Sequence, residues 1–206
     1  MSNEMWDERY AASDLVWSAT PNTWIEELTA GLAPGCVLDL AAGEGRNALW
    51  LAERGWDATA VDFSQVALDR AEQLAAQRLG DNASRFHTEQ ADLLRYSPPP
   101  QSFDLVIVVY LHLPAEQRRE VLRTAARAAA TGGRLIVIAH DSENLEHGFG
   151  GPQDPAILYT ADDVAVDLEG TGLTVTKADT GVRTVQTESG PREALDAVVV
   201  AQRLLG

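Results

Sequence analysis

The sequence contains a single cysteine and no long apolar segment. With one cysteine, Cys36, the chain has no internal disulfide, and the apolar run that follows it predicts a buried, unreactive thiol. No apolar run approaches the roughly 18 residues of a membrane-spanning helix, and the polar start of the chain does not resemble a secretion signal. We therefore expect a soluble, cytoplasmic protein that does not bind membranes.

Basic residues are also scarce. The chain has 16 lysines and arginines against 31 acidic residues, a formal net charge of -15, and Lys177 is its only lysine. Binding to nucleic acid requires a cationic surface that displaces counterions from phosphates, and the sequence shows no cluster of basic residues. Histidine, cysteine and acidic residues show no spacing typical of metal ligands. The composition predicts neither a nucleic-acid partner nor a metal site.

Short apolar runs alternate with amphipathic segments along most of the chain. The runs "CVLDL", "DATAVDF", "RFHTEQAD", "FDLVIVVYL" and "RLIVIAH" predict five strands, and right-handed crossovers would make them parallel. The stretches "LTVTKADTGVRTVQ" and "LDAVVVAQRL" are joined by a short polar segment, which favours antiparallel pairing. We predict an α/β fold with a doubly wound, seven-stranded sheet, mostly parallel with an antiparallel strand at its C-terminal edge. Residues 1–206 would form a single domain, as a monomer or homodimer.

The helices have recognisable boundaries. Ser64 precedes "QVALDRAEQLAAQRLG" and Thr160 precedes "ADDVAVDLEGTG", both in positions typical of N-caps. A third amphipathic helix is predicted from about Pro114 to Thr131, where two glycines follow. Residues 142–159 are rich in glycine, proline and polar residues. They are expected to form a loop, either a lid over a substrate or a plain surface connection.

The turn in "VLDLAAGEGRN" joins the first strand to a helix. In open parallel sheets, ligands bind beyond the carboxyl ends of the strands, where the winding reverses. Gly43 and Gly45 would let the backbone approach such a ligand, and "GEGRNA" matches a dinucleotide-binding pattern. However, Asp39 and Glu44 would repel a pyrophosphate, and Arg46 offsets this only partly. The turn therefore favours a positively charged ligand.

S-adenosylmethionine is such a ligand, because the two positive charges of its sulfonium and ammonium groups exceed the single negative charge of its carboxylate. Asp62 ends the second strand about 20 residues beyond the turn, a spacing typical of a carboxylate that binds ribose hydroxyls. Phe63 can pack on the adenine. Asp92 ends the third strand and can accept a hydrogen bond from the adenine amino group, with Ala91 and Leu93 beside it. We predict S-adenosylmethionine as the cofactor.

These motifs, in their order along the chain, resemble those of the class I S-adenosylmethionine-dependent methyltransferases over roughly Gly35 to His140. The resemblance implies a Rossmann-like fold and methyl transfer. The opening "WDERYAASDLVW" and the variant "GEGRN" further resemble the small-molecule branch that includes tellurite-resistance and thiopurine methyltransferases. The sequence departs from the pattern at Ala41, where glycine is commoner. Alanine fits a strand-end turn if its φ is negative.

The predicted site follows from these motifs and, for Trp17, partly from the resemblance. His112 and His140 follow the fourth and fifth strands, which makes them candidate catalytic residues, although the catalytic group is not determined. Candidate substrate-binding residues are Tyr10, Tyr110, His140 and Tyr159. The predicted cofactor-binding residues are Trp17, Asp39, Ala41, Gly43, Gly45, Asn47, Asp62, Phe63, Ala91, Asp92, Leu93 and Val109.

The acceptor is expected to be a small molecule. Enzymes that methylate exocyclic amino groups of bases carry an Asn/Asp-Pro-Pro-aromatic motif after the fourth strand, where this sequence has "VVYLHLP". A thiol or chalcogen oxyanion would need no general base, whereas a phenol or amine usually would. Two other functions stay open at this point, a nicotinamide-dependent oxidoreductase and a non-catalytic S-adenosylmethionine-binding module.

Overall fold

The computed structural model describes residues 20–205; residues 1–19 and 206 lie outside the description. None of the helices within this range is long and apolar enough to cross a membrane. Two short 3-10 helices cover Gly80–Arg85 and Pro155–Ile157. The helices are α1 Thr23–Thr29, α2 Arg46–Glu53, α3 Gln65–Arg78, α4 Ala115–Ala128, α5 Asn144–His147 and α6 Ala161–Asp167. The strands are β1 Cys36–Leu40, β2 Asp57–Asp62, β3 Phe86–Gln90, β4 Phe103–Val109, β5 Ala129–His140, β6 Thr174–Thr187 and β7 Gly190–Gln202.

The seven strands form one sheet in the order β3-β2-β1-β4-β5-β7-β6. Strands β1 to β5 are parallel, and β7 is antiparallel to both of its neighbours. The chain winds from β1 outward to β3 and then from β4 outward in the other direction. The winding therefore reverses between β1 and β4, and the crevice beyond their carboxyl ends is where ligands bind in open α/β sheets.

Helices cover both faces of the sheet. Leu105 and Ile107 of β4 pack in one core cluster with Leu49 of α2, whereas Val106 and Val108 point to the opposite face. This second cluster includes residues of α4 and α6. Because successive side chains of a strand alternate between faces, a central strand is apolar where both sides are buried, as β4 is from Leu105 to Val109.

The predicted N-caps are present. The Ser64 side chain accepts a hydrogen bond from Ala67 N at the start of α3, and Thr160 forms a capping box with Asp163 at the start of α6. The predicted end of α4 at Thr131 was wrong. The helix ends at Ala128, and β5 starts at once because Ala129 already pairs with Phe103 of β4.

The prediction that Cys36 is buried was also wrong. Cys36 is exposed, and it is the only exposed residue of β1 because it begins the strand at the amino edge of the sheet. Its amide donates a hydrogen bond to Asp104 Oδ2 at 2.8 Å. Partial desolvation, with the charges of Asp57 and Asp104, raises the pKa of the thiol. Cys36 is therefore held in its protonated, less nucleophilic form.

Strand β7 begins at Gly190, five residues before the predicted stretch, whereas β6 covers almost the predicted residues. Strand β5 pairs with β7 only as far as the pair of His140 and Asp196, whereas the hairpin continues to its turn at residues 188–189. The tip of the hairpin therefore projects beyond the carboxyl edge of the sheet. This brings Asp196 to the same edge as the ends of β4 and β5.

Candidate active site

Asp39 lies near the end of β1, beside the point where the winding reverses. It is 1% exposed, and neither of its carboxylate oxygens has a hydrogen-bond partner of ordinary geometry. Burial raises the pKa of Asp39 to about 8; the Ala48 N–H and Arg46 act in the opposite direction, and Asp62 adds to the increase. A buried carboxylate without partners is normally costly. A cationic ligand at this position would remove that cost.

Asp62 ties the end of β2 to the glycine turn. It is 4% exposed, its Oδ2 accepts a hydrogen bond from Gly43 N at 2.8 Å, and its Oδ1 accepts one from Ser64 N at 3.0 Å. The end of β3 is attached to the same residue, since Ala91 N donates to the Asp62 carbonyl at 2.9 Å. The turn after β1 and the ends of β2 and β3 therefore meet around Asp62.

Three residues of the turn have left-handed backbone conformations: Gly43 with φ 56°, Gly45 with φ 74° and Ala41 with φ 61°. The expectation of a negative φ at Ala41 was wrong. At Gly45, a Cβ atom would lie 3.1 Å from Ala71 Cβ and 3.2 Å from a ring carbon of Phe86. Gly45 is therefore required for packing of the turn against α3 and β3, so a bulky residue there would disturb the fold before it met a ligand.

The strained conformation at Ala41 leads to a prediction. A left-handed conformation costs a non-glycine residue about 1–2 kcal/mol, and glycine adds about 0.4–1 kcal/mol of unfolded-state entropy. Ala41→Gly is therefore expected to raise the free energy of unfolding by about 0.5–1 kcal/mol in a denaturant titration. Ala42→Gly is the matched control and should lower it, because Ala42 has no left-handed φ to relieve. A loss of stability in Ala41→Gly would contradict this account.

Two other residues of the turn make structural contacts. Glu44 is 3% exposed and forms an ion pair with Arg70 of α3 at 3.0 Å, so its charge is largely balanced. Asn47 accepts a hydrogen bond from Asn22 N at 2.9 Å, which joins α2 to the start of α1. The other acidic groups at the turn are thus Asp62 and Asp39, and the raised pKa of Asp39 means that it ionises at neutral pH only when a cation binds beside it. The role of Asn47 in cofactor binding stays a prediction.

The predicted adenine-binding residues lie at the ends of β2 and β3. Phe63 is half-buried, and Ala91 and Leu93 pack against the core at its edge. The side chain of Asp92 is 55% exposed; its Oδ1 accepts a hydrogen bond from Leu94 N at 3.0 Å, closing its own turn. Contact of these residues with adenine stays a prediction.

Aromatic rings stack beyond β4 and β5. Val109, at the end of β4, is buried, and the next residue, Tyr110, has a φ of 58° and a half-buried ring. The Tyr110 and His140 rings stack with centroids 4.7 Å apart, and His112 lies 5.5 Å from His140. Tyr110 and His140, two of the predicted substrate-binding residues, are therefore brought together at the crevice.

The structure gives His112 a structural role instead of the predicted catalytic one. The His140 backbone N–H donates to Nε2 of His112 at 3.2 Å, so the ring proton must be on Nδ1, which lies 2.9 Å from the Tyr110 carbonyl. Burial lowers the pKa of His112 to about 4. Both ring nitrogens are engaged, which leaves none to accept a proton from a substrate.

The structure does not support substrate binding by Tyr159. Tyr159 is 2% exposed, its hydroxyl donates to the Leu111 carbonyl at 2.7 Å, and Arg118 lies over its ring. Asp141, the residue that follows β5, is fully buried and accepts hydrogen bonds from Glu143 N at 3.0 Å and Thr180 Oγ1 at 3.1 Å. Tyr10 and Trp17 lie outside the described residues. Among residues 20–205, no group of three or more acidic, cysteine or histidine side chains is placed to hold a metal ion.

The sequence analysis missed Asp196 of β7. This carboxylate is completely buried, and its Oδ2 accepts hydrogen bonds from Trp24 Nε1 at 2.9 Å, Tyr110 Oη at 3.1 Å and Arg183 Nε at 2.8 Å. It joins α1, the end of β4 and β6 at the crevice. The available signal was the charged residue within the otherwise apolar run "LDAVVVA", since a buried charge requires partners.

Residues 37–133 match the sequence model of a protein family described as a methyltransferase domain. The chain is 30% identical over 146 residues to a 2-heptyl-1-hydroxyquinolin-4(1H)-one methyltransferase of Mycobacteroides abscessus, covering 66% of this chain and 63% of that protein. It is 31% identical over 110 residues to a tRNA 5-carboxymethoxyuridine methyltransferase of Escherichia coli, covering 53% of this chain and 41% of that protein. The chain thus spans less than two thirds of either relative.

The fold is shared with solved structures. An S-adenosylmethionine-dependent methyltransferase from Methanosarcina mazei superposes with a TM-score of 0.69, covering 87% of this chain and 98% of that chain at 18% identity. This likeness confirms the predicted Rossmann-like architecture. The comparisons do not single out the tellurite-resistance or thiopurine branch.

Proposed function

We propose that this chain, of which residues 37–133 match a methyltransferase-domain model, is a class I S-adenosylmethionine-dependent methyltransferase that transfers a methyl group to a small-molecule acceptor. The observation that carries the proposal is the buried Asp39 carboxylate, to which no group among residues 20–205 donates a well-aligned hydrogen bond, at the point where the sheet's winding reverses. A cationic nucleoside would satisfy it. The pyrophosphate of a nicotinamide dinucleotide would be repelled.

The residues of the crevice fit the cofactor. Asp39 would face its positively charged amino-acid part, the backbone of the turn at Gly43 would lie along it, and Asp62 would bind the ribose. Phe63 and Asp92 would contact the adenine. When bound, the cofactor supplies a methyl group that is already activated for displacement. The protein's contribution is therefore to position the acceptor and exclude water.

Charge supports a small acceptor over RNA, although one relative is a tRNA methyltransferase. The net charge is -15, and Arg118 and Arg119 of α4 both bond to Asp167, at 2.7 and 2.9 Å. These two arginines are thus balanced by a carboxylate of the protein itself. A cytoplasmic location and a monomeric or homodimeric state stay predictions.

The proposal is tested first by ligand binding. A ligand at 100 times its dissociation constant stabilises the folded state by about 2.7 kcal/mol, which raises the melting temperature of a chain of this size by about 5–10 °C. S-adenosylmethionine and S-adenosylhomocysteine should produce such a shift, and NAD and NADP should not. A shift with a nicotinamide cofactor alone would favour the oxidoreductase and overturn the proposal.

Turnover is the second test. Release of S-adenosylhomocysteine should be measured with thiols, phenols, amines, selenite, tellurite and total tRNA as acceptors. Turnover with a small molecule supports the proposal, and turnover with tRNA alone contradicts the small-molecule acceptor. Tight binding with no turnover across the panel would support the non-catalytic cofactor-binding module instead.

A further inference from the structure

His140 and Asp196 face each other across the β5–β7 pair. They are register partners, and His140 Nδ1 lies 3.6 Å from Asp196 Oδ1. The Nδ1 atom is buried without a hydrogen-bond partner, while the side chain as a whole keeps 14% of its surface exposed. The exposed part of the ring is therefore away from Nδ1, on the part that includes Nε2.

This arrangement selects one tautomer of His140. A carboxylate oxygen of Asp196 lies 3.6 Å from Nδ1, and an ionised carboxylate can only accept a hydrogen bond. The ring proton is therefore favoured on Nδ1, which leaves the lone pair on Nε2. Burial lowers the pKa of His140, so the ring is neutral at pH 7. A neutral imidazole with a carboxylate 3.6 Å from its Nδ1 and with a solvent-accessible Nε2 is suited to accept a proton.

Neighbouring side chains and a loop fix the positions of His140 and Asp196. Arg183 of β6 bonds to both oxygens of Asp196, at 2.8 and 3.4 Å, and Tyr110 donates its hydroxyl proton to the same carboxylate. On the other side, a Cβ atom at Gly151 would lie 2.7 Å from the His140 ring, so the loop backbone packs directly against it. That loop is anchored to β7 by Asn144, whose Oδ1 accepts a hydrogen bond from Leu195 N at 2.7 Å.

We propose that His140 is the general base of the methyl transfer and that Asp196 is its positioning residue. The inference rests on the proposed function and narrows its acceptor to molecules that lose a proton on methylation, those with an O–H or N–H group. In the proposed step the acceptor proton passes to His140 Nε2 and the acceptor atom bonds to the methyl carbon. The carbon–sulfur bond of the donor sulfonium breaks, and its electron pair stays on sulfur.

The tautomer is tested without any acceptor. The chain has only four histidines, so ¹⁵N-histidine NMR of the full chain gives few side-chain signals, assigned with one His→Gln variant for each. At pH 7 we expect His140 Nε2 to show the shift of an unprotonated ring nitrogen and Nδ1 that of a protonated one. The opposite tautomer, or a doubly protonated ring, would overturn the proposal.

Turnover tests the base. His140→Gln should lower kcat at least a hundredfold with phenol or amine acceptors and leave the affinity for S-adenosylhomocysteine within about twofold. Asp196→Asn should lower kcat about tenfold or more with little change in KM, and it should change the His140 tautomer signals. His87→Gln is the matched histidine control, because His87 is 52% exposed on β3. Asp167→Asn is the control for loss of a buried carboxylate, and it should leave the tautomer unchanged.

The two proposals fail differently. If S-adenosylmethionine does not bind, the proposed function is overturned. If the cofactor binds and turns over but His140→Gln keeps full activity with hydroxyl and amine acceptors, only the base is overturned. Activity restricted to thiols or chalcogen oxyanions, equal in His140→Gln and the wild type, would also overturn it. If Asp196→Asn does not fold, the wild-type tautomer and His140→Gln still decide the question.

Discussion

Asp39→Asn is expected to be more stable than the wild type at pH 8 and to bind S-adenosylmethionine more weakly. Burial raises the pKa of Asp39 to about 8, well above the ordinary value of an aspartate side chain. Between about pH 4 and pH 8, the folded state therefore holds a proton that the unfolded state has lost. The free energy of unfolding of the wild type accordingly falls as pH rises through this window.

The asparagine removes this pH dependence because it does not titrate. At about pH 4, where the unfolded carboxyl also begins to hold its proton, the two proteins should melt at similar temperatures, since a protonated Asp39 closely resembles asparagine in shape and charge. At pH 8 the variant should be more stable by about 2–5 kcal/mol, allowing for relaxation around the charge, or about 4–20 °C in melting temperature. Differential scanning calorimetry at both pH values measures this.

The binding of the cofactor should show the opposite trend. A cationic ligand favours ionised Asp39, so the affinity of the wild type should rise with pH, by at most about tenfold per unit, up to about pH 8. Asp39→Asn should bind about 10- to 100-fold more weakly at pH 8, the effect of removing a hydrogen bond to a charged group. The affinities of both proteins should be measured by calorimetric titration at pH 6.5 and pH 8.5. The ligand's own ionisation affects both proteins equally, so comparing them at each pH removes its contribution.

Asp141→Asn is the matched control for stability, because Asp141 is equally buried but accepts hydrogen bonds from Glu143 and Thr180. It should be less stable than the wild type, since an amide replaces a fully bonded carboxylate. If Asp39→Asn were also less stable at pH 8, the Asp39 carboxylate would have partners that the structure does not show.

Asp62→Ala is expected to reduce affinity for the cofactor about 10- to 100-fold, equivalent to about 1–3 kcal/mol. The change removes the proposed ribose acceptor and also leaves the Gly43 and Ser64 amides without the carboxylate that they donate to. Those amides are buried, so the melting temperature should fall as well. Titration calorimetry with S-adenosylhomocysteine and a thermal melt measure the two effects.

Asp92→Ala distinguishes the role of Asp92, which follows β3, from that of Asp62, which ends β2. The Asp92 side chain is 55% exposed and its hydrogen bond is to its own turn, so its loss should change stability little. If Asp92 contacts adenine, affinity should fall by less than tenfold, a smaller effect than that of Asp62→Ala. Equal effects of the two variants, or no effect of Asp62→Ala, would contradict the assignment of Asp62 to the ribose.

The parts of the fold that depend on local pattern were predictable from the sequence. The uninterrupted apolar run of β4 indicated a strand covered on both faces, and Ser64 and Thr160 marked the starts of α3 and α6. The strand-end positions of Asp39 and Asp62 followed from the same pattern, because carboxyl ends of parallel strands share one edge. The sheet order then places Asp39 at the reversal point.

Contacts between distant segments were not predictable. Asp196 meets Trp24 and Tyr110 because the register of β7 against β5 places it opposite His140 at the end of the sheet, and no local pattern records that register. The roles of His112 and Tyr159 depend on backbone groups of Tyr110, His140 and Leu111 that happen to be near. A hydrogen bond to a distant backbone atom leaves no signal in side-chain sequence.

The central claim is that buried carboxylates at the carboxyl edge of the sheet form a site for a positively charged nucleoside. A crystal structure with bound S-adenosylhomocysteine tests this most directly. We predict the nucleoside between β1 and β2, with Asp62 within hydrogen-bonding distance of the ribose hydroxyls and Asp39 facing the ammonium group. A nucleoside bound elsewhere, or Asp39 still buried without a partner in the complex, would contradict the claim.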